Sequence, residues 1–107
     1  MIDVSITKNG DDFIRVTTSG HALFDESGRD VVCAGVSVLV INTINSMERL
    51  TSSNPEVDSN QEEGFIDCII NKPSEECNLL MKSMILGLEE IQKSYSDDYL
   101  QINIKEV

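Results

Sequence analysis

Tryptophan is absent from this chain, and the other aromatics number five, three Phe and two Tyr. Leu, Ile, Val and Met must therefore fill whatever core forms. Bases are scarce as well: eight Lys and Arg stand against 19 acids, a formal charge of −11. That balance argues against nucleic acid as a direct partner, because phosphate contacts need clusters of Lys and Arg. No apolar run reaches the roughly 20 residues that cross a bilayer, so no membrane partner is expected. The start, MIDVSITKNG, lacks the basic stretch and apolar segment of a secretory leader. A cytoplasmic location is the expectation. Three cysteines make an odd set whose spacings fit no zinc or disulfide framework, so free thiols are expected. No internal repeat, linker or low-complexity segment is visible, and nothing in the pattern calls for a cofactor.

What is present suits one domain over residues 1–107, with 40% hydrophobic residues for a single modest core. The acidity either only keeps the chain soluble or steers a cationic partner toward it.

Ile2, Val4 and Ile6 alternate with polar residues, the pattern of a half-buried strand. Asn9-Gly10 favours a hairpin turn, and Phe13 to Thr18 returns as a second strand. Asp25 to Asp30 is polar, contains Gly28 and has no period, which predicts a loop. Asp30 suits a helix N-cap. Behind it Cys33, Val36, Val40, Ile44 and Met47 recur at helical steps. The Val and Ile content would also suit a buried strand, but a period reaching about Leu50 is too long for one. Thr51 to Asn54 and Pro55 end it. Glu56 to Gly64 reads as an edge strand with a turn, and GFIDCIINK as a strand apolar on most of both faces. Pro73-Ser74-Glu75-Glu76 opens a second helix, striped by Cys77, Met81, Met84, Leu88 and Ile91. Leu100, Ile102 and Ile104 alternate in a last strand. The order β-β-α-β-β-α-β predicts an α+β two-layer sandwich. Its mostly antiparallel five-stranded sheet would carry two amphipathic helices on one face.

The stretch Ser19–Ser37 stands apart. It holds the only histidine, His21, and Cys33. Cys68 and Cys77 lie in phase with apolar neighbours and read as core thiols. Cys33 instead falls about three residues past Asp30, inside the predicted first helical turn. Free amides and the dipole there favour a thiolate, and the same amides, Ala34 included, can hold an oxyanion. Ala34 and Gly35 are small enough to admit a substrate backbone. Taken singly, Cys33 can be one more core thiol and His21 an exposed loop residue. Together, across one loop, they have the composition of a nucleophile with its base. His21, Asp25 and Asp30 can also be read as metal ligands, a common chance grouping.

Gly20-His21-Ala22, Gly28 and the run Asp30-Val31-Val32-Cys33-Ala34-Gly35-Val36-Ser37 resemble the ribosomal-processing cysteine protease Prp family. The resemblance extends over most of the chain, and its specific part is the His-to-Cys segment. It implies a bacterial endopeptidase that removes the short N-terminal extension of large-subunit ribosomal protein twenty-seven. The cut falls after paired aromatics and before a small residue. Cys33 matches the family's nucleophile and His21 its general base and acid. Gly20, Asp30 and Ser37 match neighbouring positions. Asp30 can orient His21 or cap the helix, and Ser37 can fix the imidazole or face the sheet. The resemblance also implies a homodimer and a mobile substrate loop over Ala22, Leu23, Phe24, Asp25, Glu26, Ser27, Gly28 and Arg29. A strongly basic substrate would give the acidity a use. The rival class is an acidic module that escorts a basic ribosomal protein without cutting it.

Overall fold

The computed structural model describes residues 1–20, 27–60, 64–95 and 98–107, with backbone alone over 27–30. Ile2–Asn9 forms β1 and Asp12–Ser19 forms β2. Ile2, Val4 and Ile6 turn inward as their alternation predicts. Asn9 pairs with Asp12, so the hairpin loop is two residues long, and Gly10 carries its left-handed φ of 62°. The register slips between Thr7 and Lys8, which pair with Arg15 and Phe13. This bulge explains how Phe13 and Val16, three residues apart, both reach the core.

Helix α1 spans Ser27–Leu50, β3 Glu56–Asn60, β4 Phe65–Ile69, α2 Glu75–Tyr95 and β5 Leu100–Glu106. The sheet order is β3-β4-β2-β1-β5. Every pairing is antiparallel except β1 with β5. The sheet is therefore mixed, and otherwise the predicted architecture is the observed one. Val32, Val36, Val40, Ile44 and Met47 of α1 meet Cys77, Met81, Met84 and Leu88 of α2 over Val4, Ile6, Val16, Cys68 and Leu100 of the sheet. Ser74 caps α2: its Oγ accepts the Cys77 N–H at 3.2 Å, and Glu75 and Glu76 follow at the positive end of the dipole. Asn78 ties α2 to the hairpin, accepting the Phe13 N–H and donating to Asp12, both at 3.0 Å. The other face of the sheet carries polar residues beside exposed Ile69. There Arg15 grips Asp67 with two bonds of 2.8 and 2.7 Å, and Thr17 adds a third. These bonds, Arg15's first, hold the Asp67 carboxyl below its usual range. Half-exposed Arg15 keeps the pair's contribution to stability small.

Three expectations need correction. First, α1 starts at Ser27, so Asp30 is the helix's fourth residue and not its N-cap. Ser27-Gly28-Arg29-Asp30 has the Ser-x-x-acid spacing of a capping box, which was the better boundary signal. Second, the predicted loop over Ala22 to Arg29 is helical from Ser27 onward, while Ala22 to Glu26 lie outside the described residues. Glycine at 28 costs the helix only about 1 kcal/mol, less than burial of the apolar stripe returns. Third, Val31–Leu50 is by itself long and apolar enough to cross a membrane by length and composition. The chain uses it as a core helix, with five of its side chains in the apolar cluster above.

Candidate active site

The order of the sheet creates the site. Helix α1 connects β2 to the edge strand β3, and β4 pairs between them. No residue of β3 is covered by the helix layer. A trough of about 560 Å³ remains between α1 and the β3-β4 edge. One wall is a stripe of α1: Cys33, Ser37, Ile41, Ile44, Asn45 and Glu48. Most of these positions recur at steps of three or four, so they share a face that borders the core stripe at Val36 and Ile44, which also line the groove. The facing wall and floor come from Thr18, Gly20, Val57, Ser59, Phe65 and Ile66. Among the described residues the lining is uncharged apart from Glu48, and it is largely apolar.

Cys33 is partly exposed at one end of this groove, where Gly20 also lies. Cys68 and Cys77 are fully buried, as their phase predicts, and all three thiols are free. Burial, with a smaller push from Asp67, drives the Cys68 thiol up to about 11. One equivalent of iodoacetamide at neutral pH should therefore label Cys33 before either partner, as peptide mapping would record. Label appearing first on Cys68 or Cys77 would mean that the groove does not expose the Cys33 sulfur.

Gly20 has φ of 105°, and a Cβ built on it overlaps the carbonyl oxygen of Met1. No other residue type fits this exit from β2, because β1 begins directly alongside. Ile2 is pinned there by its N–H bond to the Tyr99 carbonyl at 3.0 Å. Gly20→Ala should cost about 1–3 kcal/mol, lowering Tm by on the order of 5–15 °C for a domain of this size. A melting curve checks it, and an unchanged Tm would show that Met1 yields without cost.

His21, the next residue, lies outside the described residues, as do Ala22, Leu23, Phe24, Asp25 and Glu26. Ser37 shares the groove wall with Cys33, one turn along α1, as its spacing predicts. The early start of α1 changes the electrostatics at Cys33. Six residues into the helix, Cys33 is about 9 Å along the axis from Ser27. A helix dipole acts within its first turn, so it does not serve this thiol. The amides of Cys33 and Ala34 belong to the helical ladder and are not free for an oxyanion, which corrects that assignment for Ala34. Gly35 also has a different use. Its missing side chain makes room for Ile91 of α2, whose Cδ1 lies 2.9 Å from a built Cβ, and Leu39 meets Gly87 in the same way. The groove residues Ile41, Asn45, Glu48, Val57 and Phe65 escaped the sequence reading. The α1 members show in the run Cys33, Ser37, Ile41, Asn45 at steps of four. Those on β3 and β4 have no local signal.

A partly exposed thiol at the head of a peptide-sized trough, on a two-layer α+β frame, defines a thiol-dependent peptide hydrolase. Comparison with known proteins gives the family. The family model for cysteine protease Prp matches residues 1–101. The ribosomal processing cysteine protease Prp of Staphylococcus aureus is 30% identical over 107 residues, covering 98% of this chain and 100% of its own. The fold is similar to that of the essential ribosomal processing protease Prp from S. aureus in complex with a substrate peptide. The TM-score is 0.88 at 29% identity, over 98% of this chain and 100% of that one. It is also similar to the same S. aureus protease with a covalently linked product peptide, with a TM-score of 0.86 at 30% identity and the same coverage. The chain belongs to the cysteine protease Prp family and is a cysteine protease.

Proposed function

We propose that this chain is an endopeptidase that removes the N-terminal extension of a ribosomal protein, large-subunit protein twenty-seven, using Cys33 as nucleophile and His21 as base and acid. The observation that carries this reading is the position of Cys33. It is partly exposed at the head of a groove whose wall also includes Gly20, the residue directly before His21. His21 takes the thiol proton, and the Cys33 sulfur bonds to the scissile carbonyl carbon. The tetrahedral adduct collapses as the C–N bond breaks and His21 returns its proton to the leaving amine. Water then hydrolyses the thioester and frees the thiol. The covalently linked product peptide of the S. aureus relative supports a covalent route. Ile41, Ile44, Phe65 and Ile66 give the groove walls suited to the paired aromatics before the cut. In this reading the Asp30 carboxylate would orient His21, and Ser37, one turn after Cys33 on the groove wall, would support the imidazole.

The charge of −11 favours encounter with a basic ribosomal protein. Exposed Val31 and Val38 on α1, with Leu79 and Leu86 on α2, supply the apolar surface that a homodimer would cover. Free thiols suit work in the cytoplasm. The test is incubation with a peptide whose extension ends in Phe-Phe-Ala, followed by mass spectrometry. Cleavage before Ala supports the reading, and an intact peptide at high enzyme concentration defeats it.

A further inference from the structure

We infer that Glu48 is a specificity-determining residue: its carboxylate holds a cationic side chain of the peptide about six or seven residues away from the bond that Cys33 attacks. The inference rests on the protease reading above and adds the charge of a distant substrate position to it. Among the described residues Glu48 is the one charged residue that lines the groove. It lies far along α1 from Cys33, one turn after the lining residue Ile44. Fifteen residues of helix separate Cys33 from Glu48, about 22 Å along the axis. An extended peptide covers that span in about six or seven residues.

The placement of Glu48 adds a second argument. It lies in the last turn of α1, where the dipole is negative and a base is the favourable choice. Arg49 meets that preference but does not line the groove. Glu48 lines the trough and has no ion pair or hydrogen bond among the described residues. Two negative contributions, the carboxylate and the helix end, therefore meet in one place, with no cation paired to Glu48 among the described residues. Between Cys33 and that point the described lining residues are uncharged, so Glu48 is the partner they offer to a Lys or Arg of the substrate. Register along the groove is then set at both ends, by the thiol and by the carboxylate.

The experiment uses labelled peptides that carry the cleavage sequence and a single Lys, moved stepwise away from the scissile bond on either side, with Gln as the neutral control. Binding is read by fluorescence anisotropy on the Cys33→Ala protein, and cleavage separately on the unaltered protein. Binding should peak when Lys lies about six or seven residues from the bond, two- to fivefold above the Gln control. The side on which the peak falls gives the direction of the chain in the groove. In a Glu48→Gln background the peak should vanish, and in Glu48→Lys it should reappear for a peptide with Glu in that place. About 0.5 M salt should flatten it. A flat response, a peak that survives in Glu48→Gln, or no peptide binding at all would overturn the assignment. A Glu48-dependent peak without cleavage would count against the protease reading alone. Cleavage without such a peak would count against Glu48 alone.

Discussion

Cys33→Ala should eliminate peptide cleavage while leaving the fold in place. In the proposed mechanism the sulfur bonds to substrate carbon, and Ala has nothing to offer in its stead. The structural cost should be small. Cys33 sits at the margin of the core, packed against it but partly exposed, and Ala is the best helix former. The gain in propensity and the loss of sulfur contacts are each below about 1 kcal/mol, so Tm should move by no more than a few degrees. Cys68→Ser gives the contrasting result. It sets a hydroxyl where the sulfur is now fully buried between Val16 and Val57 in the sheet, at a cost of about 1–3 kcal/mol. The two variants together separate chemistry from stability. Cleavage by Cys33→Ala at anything near the parent rate would remove Cys33 from the mechanism.

Helix α1 shows how far the sequence carries the argument. Its core stripe from Val36 to Met47 and its end near Leu50 follow from period and punctuation, because burial of one face fixes both. Its beginning does not. Gly28 and Asp30 are locally good loop and cap residues, and local chemistry favours a start at Asp30. The helix runs three residues further back because a regular backbone there satisfies its own hydrogen bonds at a cost of about one unfavourable glycine. That shift removes the amides and the dipole from Cys33, which changes the chemistry and not only the boundary.

The groove was legible on one side only. Ser37 sits four residues after Cys33, so its place beside the thiol is a property of any helix. Val57 and Phe65 reach the same trough through sheet order. The connection over α1 leads to the edge, β4 pairs inside it, and nothing in Glu56–Asn60 states which neighbour it will take. Gly35 is the same lesson in reverse. A small residue beside a nucleophile suggests room for substrate, and tertiary packing gives that room to Ile91.

His21→Ala should lower the cleavage rate by about 10²- to 10⁴-fold without removing the thiol. The size of the effect follows from what Cys33 lacks. It is beyond the reach of the helix dipole, and among the described residues no Lys or Arg lines its groove. Among the described groove residues within a turn of Cys33 no side chain can both take the thiol proton and later deliver it to the leaving amine. His21 is the only histidine in the chain, and Gly20 brings the backbone to the groove one residue earlier. If the imidazole does this work, three results should appear together. Single-turnover cleavage falls by the stated factor, the limb of the pH–rate profile that titrates the imidazole disappears, and added imidazole restores part of the rate through the open groove. Melting should be unchanged, which Gly20→Ala, with its strained backbone, would not match. A single-turnover rate at neutral pH equal to that of the parent chain would end the case for the dyad, because a thiol with no base and no dipole would then be sufficient on its own.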